Sequence, residues 1–148
     1  MDLQTIKKSI AINAPKEKVW SVLLNDESTR IWYAEFSEGS HADTDWRLGS
    51  KAVFTDKSKS GIVGKVIANK PYEVLSLEYE GVVKGGMEDY DSQEARNVKG
   101  SRETYKLSAR NGDTNLSIEC DMGSSYFEFM SSAWDKALQK IKNLSETT

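Results

Sequence analysis

The stretch INAPKEKVW, residues 12–20, changes from a strand pattern to a helix pattern within a few residues. Before it, polarity alternates with a period of two, which predicts a β-strand with one buried face. The apolar positions of this alternation are Ile6, Ile10 and Ile12. Lys8 interrupts the pattern. Pro15 suits the first turn of a helix, where its missing N–H costs nothing, so a helix is predicted to begin there.

Two short helices are predicted after this strand. Apolar side chains recur at helical spacing at Val19, Trp20, Leu23 and Leu24. Asp26 or Ser28 can cap a second helix that runs through Ile31, Trp32 and Tyr33. The pair is expected to form a helix–turn–helix unit inserted after strand one.

Residues 48–122 consist of short alternating runs separated by turn residues, which favours an antiparallel sheet over alternating βα units. The predicted strands are 51–55, 61–69, 72–80, 101–109 and 113–121. The predicted turns are Lys59-Ser60-Gly61, Lys70-Pro71 and Asn111-Gly112-Asp113, of which the Asn-Gly step is a strong hairpin signal. In the last strand, one face carries Leu116, Ile118, Cys120 and Met122. This apolar face requires a cover.

One long helix is predicted to supply that cover. Apolar residues at three- and four-residue steps are Phe127, Met130, Trp134, Leu138, Ile141 and Leu144. They extend over about 20 residues, roughly 30 Å of helix. Residues 81–100 are polar, contain glycine and exceed a usual hairpin connection, so they are predicted to be a loop, either a lid or a tolerated insertion.

Composition excludes several classes of function. The 148 residues, 38% hydrophobic and 29% charged, suit one globular domain. The net charge is −3 and the basic residues are scattered, so no nucleic-acid partner is expected. No apolar run approaches the roughly 20 residues of a membrane span and no signal pattern is present, so a cytoplasmic protein is expected. The single cysteine, Cys120, excludes an internal disulfide.

Three segments resemble the START-like (SRPBCC) superfamily, in the branch of homologues of the activator of heat-shock-protein-ninety ATPase. IAINAPKEKVWSVLLNDESTRIWY, residues 10–33, resembles the family's opening, with matching positions at Ala14-Pro15, Glu17-Lys18, Val19-Trp20, Asp26-Glu27 and Trp32. GIVGKVIANKPYEVLSLEY, residues 61–79, is similar to its strand–Pro–strand segment, and AWDKALQKIKNL, residues 133–144, to its closing helix. Two departures are Ala133, where the family often has Gly, and the longer 81–100 segment.

The resemblance implies one START-like domain over residues 1–148 with an α+β helix-grip fold. In this fold a curved antiparallel sheet of about six or seven strands wraps around the long C-terminal helix, and two short helices follow strand one. The grip commonly leaves a cavity between helix and sheet, which is where a ligand would bind.

Period-two spacing nominates the side chains of this cavity. The sheet would supply Phe54, Leu75, Leu77, Tyr79, Tyr105, Leu107, Leu116, Ile118 and Cys120, the helix would supply Phe127, Met130 and Trp134, and Trp32 and Trp46 would lie near the mouth. The alternative for each is an ordinary core position. Glu103 shares the inward alternation, where a carboxylate must be paired or hydrogen-bonded. It would orient a ligand or act as a general base, unless it reaches solvent at the strand end.

Catalytic and metal-binding constellations are not predicted. His41, the sole histidine, lies in a polar turn and is interpreted as a solvated loop residue. Cys120 has no neighbouring His or Lys and is interpreted as a buried, inert thiol. The acidic residues Glu88, Asp89 and Asp91 do not match a calcium loop and are interpreted as a solvated face. No cofactor is predicted.

Three hypotheses of function follow. The first is a non-enzymatic protein that binds an apolar, aromatic or lipid-like small molecule. The second, implied by the family resemblance, is a protein partner that regulates a chaperone ATPase. The third is an enzyme of the polyketide-cyclase or hydratase kind that uses Glu103 and Tyr105 for proton transfer. The chain is expected to be a monomer or a homodimer, since edge strands invite pairing while Lys7 and Lys8 oppose it.

Overall fold

An antiparallel sheet curved around one long helix forms the fold. The computed structural model describes residues 3–147. The strands are β1 (Leu3–Ile12), β2 (His41–Asp43), β3 (Lys51–Thr55), β4 (Gly61–Lys70), β5 (Val74–Lys84), β6 (Met87–Asp89), β7 (Arg102–Arg110) and β8 (Asp113–Gly123). The helices are α1 (Lys16–Leu24), α2 (Asp26–Tyr33), α3 (Gln93–Val98) and α4 (Phe127–Glu146), and a 3₁₀ turn (Ser124–Tyr126) precedes α4.

The sheet order is β1-β8-β7-β5-β4-β3-β2, and β6 pairs with the far end of β5. This confirms the predicted α+β helix-grip fold. Over residues 3–147 the sheet has eight strands, where the sequence predicted about six or seven. The additional strands, β2 and β6, have three residues each, which is too few for an alternation to be recognised. The Asn111-Gly112 step forms the predicted two-residue hairpin turn, with φ angles of 53° and 90°.

The turn at Ala14-Pro15 directs the chain from the sheet edge into the helix pair. Pro15 precedes α1 in an extended conformation, and its carbonyl accepts hydrogen bonds from the N–H groups of Lys18 and Val19 at 3.0 and 3.2 Å. On the other side of the turn, the buried hydroxyl of Thr114 donates to the carbonyl of Ala14 at 2.7 Å. The turn is therefore tied to both α1 and β8.

The predicted caps of the second helix, Asp26 and Ser28, are wrong. The capping residue is Asn25, whose Oδ1 accepts a hydrogen bond from the N–H of Glu27 at 3.0 Å. The N–H of Asn25 also donates a hydrogen bond to the carbonyl of Ser21 at 2.8 Å, which ends α1. Asn25 thus ends α1 and begins α2. Asp26 lies in the first turn of α2, where an acidic side chain interacts favourably with the helix dipole.

Helix α4 covers the inner face of the sheet. Its buried residues include Trp134, Ala137, Leu138 and Ile141, which join Ile6, Leu116 and Ile118 of the sheet in one core cluster. Lys8, which interrupts the alternation of β1, extends to α4 and forms an ion pair with Asp135 at 2.7 Å. Among residues 3–147, no helix is long and apolar enough to cross a membrane.

Residues 81–100 are largely structured, so their prediction as a loop is wrong. They hold the end of β5, a turn at Gly85-Gly86, the strand β6 and the helix α3. Ser92 caps α3 by accepting a hydrogen bond from the N–H of Ala95 at 3.1 Å, and Ala95 is fully buried. A six-residue helix with one buried side chain leaves no hydrophobic periodicity in the sequence, which explains why it was missed.

The hydrogen bond from Thr114 to Ala14 can be tested against an exposed bond of equal length. We expect Thr114→Val to lower the free energy of unfolding by about 1–3 kcal/mol, because it leaves the Ala14 carbonyl buried without a partner. Thr5→Val removes an exposed 2.7 Å bond to Asp121 and should cost under about 0.5 kcal/mol, since water replaces it. Urea unfolding measures both, and equal losses would contradict this role of Thr114.

Candidate functional site

A cavity of about 200 Å³ lies between the inner face of the sheet and the helices α2 and α4. Seven of the residues nominated from the sequence line it: Trp32, Phe54, Tyr79, Glu103, Tyr105, Met130 and Trp134. The structure therefore brings together nominated side chains from two helices and three strands. Whether they bind a ligand stays a prediction.

Eight nominated residues lie outside the lining. Leu77 and Ile118 are each 1% exposed and belong to the packed core. Phe127 is half-buried against the core, and Trp46 packs its ring on Phe54 with centroids 6.1 Å apart. Leu75, Leu107, Leu116 and Cys120 are likewise buried core residues. Period two predicts which face a side chain takes, but not where along the strand the covering helix leaves a gap.

The cavity also contains residues that the sequence did not indicate. Tyr33 and Phe36 come from the end of α2 and the turn after it, and Ser37, Asp56 and Ser60 form part of the rim. These residues lie far apart in sequence and carry no shared motif. Only the fold brings the segment after α2 beside the β3–β4 hairpin.

The floor of the cavity is a carboxyl group held by two phenols. Glu103 on β7 accepts a hydrogen bond from the hydroxyl of Tyr79 on its Oε1 and one from the hydroxyl of Tyr105 on its Oε2. The thiol of Cys120, which faces Glu103 in the β7–β8 register, lies 4.0 Å from Oε1. The carboxylate that the sequence placed inward is therefore hydrogen-bonded, and it lines the cavity, where it is half-buried.

Burial determines the protonation of this floor. It raises the pKa of Glu103, and the hydrogen bonds from Tyr105 and Tyr79 oppose this shift. Burial, and then the charge of Glu103, raises the pKa of Tyr33, Tyr79 and Tyr105 well above the ordinary value. The phenols therefore keep their protons at neutral pH. Burial also raises the pKa of the Cys120 thiol, which disfavours the thiolate that a nucleophile requires.

Aromatic rings form the walls. Trp32 and Tyr33 meet edge to face at 4.5 Å, and Phe36 and Trp134 meet edge to face at 4.9 Å. The indole of Trp32 donates a hydrogen bond to the carbonyl of Val22 at 3.1 Å. The indole nitrogen of Trp134 is buried and makes no hydrogen bond within residues 3–147.

Asp56 organises the rim. Its Oδ2 accepts a hydrogen bond from the hydroxyl of Ser37 at 2.7 Å, and its Oδ1 accepts one from the hydroxyl of Ser58 at 2.6 Å. These bonds, that of Ser58 first, lower the pKa of Asp56 to about 2. The carboxylate thus ties the segment after α2 to the β3–β4 hairpin.

The other polar residues considered from the sequence are not among the residues that line the cavity. His41 is on β2, and its Nδ1 is 3.2 Å from the carbonyl of Gly39. Glu88 pairs with Lys51 at 2.9 Å, and Asp89 accepts hydrogen bonds from the N–H groups of Asp91 and Ser92. In the described part of the chain, no group of three or more His, Cys, Asp or Glu side chains is arranged to hold a metal ion.

A curved sheet gripping a long helix over an aromatic cavity defines a protein of the helix-grip class. The chain belongs to the family described as Activator of Hsp90 ATPase homolog 1-like protein, whose profile matches residues 13–146. This confirms the resemblance recognised from the sequence. A search of curated proteins found no match.

Solved structures share the fold. The Aha1 dimer from Colwellia psychrerythraea is 15% identical, with a TM-score of 0.73 over 97% of this chain and 96% of that chain. Protein MLL2253 from Mesorhizobium loti is 18% identical, with a TM-score of 0.74 over 95% and 96%. ChR145 from Cytophaga hutchinsonii is 21% identical, with a TM-score of 0.70 over 99% and 97%. At these identities the similarity establishes the fold alone.

The raised pKa of Glu103 predicts a pH dependence of stability. Because the folded state favours the protonated carboxyl, Glu103 contributes to the free energy of unfolding. This contribution is fully present below the unfolded pKa of about 4.3 and is lost as pH rises through the folded pKa. Over this window we expect the unfolding free energy of the wild type to fall relative to that of Glu103→Gln. Urea unfolding from pH 4 to 8 measures the difference.

Glu119→Gln is the matched control, since Glu119 lies on the exposed side of the neighbouring strand. It removes one carboxylate without touching the cavity, so it measures how much of the difference comes from the loss of a surface carboxylate. Parallel profiles for wild type and Glu103→Gln would show that Glu103 does not titrate as described.

Proposed function

We propose that the protein binds one small, mostly apolar molecule in the cavity between α4 and the sheet. The observation that carries this proposal is an aromatic-walled cavity that ends on a single hydrogen-bonded carboxyl group. Ligand sites are usually concave and apolar with a few placed polar groups. A core that only needed to be filled would gain nothing from a buried carboxyl, which costs free energy to desolvate.

The cavity volume limits the size of the ligand. An apolar cavity of about 150 Å³ in another protein holds benzene. The cavity here, at about 200 Å³, accommodates about one substituted ring. A lipid with a long acyl chain would require the cavity to open further. Single-ring molecules are therefore the first class to test.

Toluene tests the site together with a variant that fills it. At a concentration of about 100 Kd, toluene should stabilise the wild type by about 2.7 kcal/mol and raise its Tm by about 5–10 °C. Met130→Trp places a larger side chain in the lining and should abolish the shift. Phe129→Trp, at the adjacent position with 62% exposure, should retain it.

The outcomes separate a cavity site from non-specific binding. A shift that persists in Met130→Trp would place toluene elsewhere, and the absence of any shift in the wild type would contradict the proposal. Differential scanning calorimetry gives both Tm values, and isothermal titration gives the affinity.

Glu103 also supports a second candidate, an enzyme of the cyclase or hydratase kind. A buried carboxyl with a raised pKa beside two phenols is suited to general acid–base catalysis. Turnover of a bound compound, followed by mass spectrometry, should fall at least about 100-fold in Glu103→Gln. Unchanged turnover in the variant would dismiss this base.

Family membership supports regulation of a chaperone ATPase as a further candidate. Tyr126, in the 3₁₀ turn before α4, and Phe129, in the first turn of α4, are 64% and 62% exposed, as expected of side chains at a protein interface. The ATPase rate of an Hsp90-type chaperone should change on addition of the protein and change less with Phe129→Ser. No effect on the rate would remove this candidate.

A further inference from the structure

We propose that the cavity selects a small organic cation: an ammonium group carried on an apolar body of about one ring. This inference rests on the proposed function, because it specifies the class of molecule for the same site. The charges of the lining, the hydrogen bonds at its floor and the chemistry of its walls each favour such a cation.

The charges of the lining favour a cation. Among residues 3–147, the cavity is lined by two acidic side chains, Glu103 and Asp56, and by no Lys, Arg or His. Within the same residues, Glu103 forms no ion pair, and its hydrogen-bonding partners are phenols and a thiol. A buried carboxylate is costly unless it is paired. A cationic ligand would supply the pairing that the protein does not.

The hydrogen bonds at the floor favour a ligand that donates. Each carboxyl oxygen of Glu103 accepts one phenol, and a carboxylate oxygen has a second lone-pair site. The phenol protons of Tyr79 and Tyr105 are already donated to Glu103, so these oxygens offer only lone pairs to a ligand. An ammonium group carries three donors and no acceptor, whereas a ligand carboxylate would face lone pairs of the same kind.

The walls suit the same ligand. Trp32, Tyr33, Phe36 and Trp134 present aromatic rings to the cavity. The face of an aromatic ring attracts a cation and also packs against an apolar body. The buried indole N–H of Trp134 makes no hydrogen bond within residues 3–147 and would suit an anion, but the two acidic side chains of the lining repel one. Floor and walls therefore favour a molecule with a positive group and an apolar body.

Three single-ring compounds of similar size distinguish the charge classes: benzylamine, benzyl alcohol and benzoate. Isothermal titration at pH 7 should give benzylamine a Kd at least about tenfold lower than that of benzyl alcohol, and benzoate should bind most weakly. Glu103→Gln should remove the preference for the amine and retain binding of benzyl alcohol. Glu119→Gln should behave like the wild type.

A measurement on the wild type keeps the test independent of variant folding. The NMR signal of the Glu103 side-chain carboxyl carbon should shift on addition of benzylamine and shift much less with benzyl alcohol. A signal that responds equally to both, or a Kd for benzyl alcohol or benzoate equal to or below that of benzylamine, would overturn the inference.

The outcomes also distinguish this inference from the proposed function. Equal binding of toluene, benzyl alcohol and benzylamine would retain a small-molecule site and overturn the cation preference. If none of toluene, benzyl alcohol, benzylamine and benzoate binds, both the proposed function and the cation preference are overturned.

Discussion

One helix cannot cover an eight-stranded sheet, and this mismatch shapes the molecule. Neighbouring strands lie about 4.8 Å apart, so the curved sheet is about three times as wide as a helix about 10 Å in diameter. Helix α4 therefore needs help to cover the inner face. The turn at Ala14-Pro15 brings α1 and α2 to its side, where Lys140 of α4 pairs with Glu35 just beyond α2 at 2.7 Å. The cavity is the part of the interface that this arrangement leaves unfilled.

The unfilled part lies near the beginning of α4. Further along the helix, Leu138 and Ile141 pack tightly on the core, whereas Met130 and Trp134 border the cavity. Opposite them on the sheet, Tyr79 and Tyr105 are large side chains with a polar tip, and both hydroxyls donate hydrogen bonds to Glu103. Aromatic rings form the walls of the cavity, and the carboxyl group of Glu103 is the strongly polar group at its floor.

The inner face of the sheet was predictable because period two assigns each strand residue to one side. Glu103 and Tyr105 were placed inward on this basis, and the structure joins them by a hydrogen bond. The contributions of Tyr33 and Asp56 were not predictable, because they depend on how the end of α2 meets the β3–β4 hairpin. Residues 81–100 were misassigned for a related reason, since α3 is held by a Ser92 cap and one buried alanine, which leave no periodic signal.

The central claim is that the space between α4 and the sheet is a binding site whose polar contact is Glu103. A high-resolution crystal structure after soaking with benzylamine tests this claim most directly. We expect density for one molecule in the cavity, with its nitrogen about 2.7–2.9 Å from a Glu103 oxygen, as for a charge-assisted hydrogen bond, and its ring against Trp32 and Trp134. A cavity closed by its own side chains, or a molecule that turns its nitrogen away from Glu103, would contradict it.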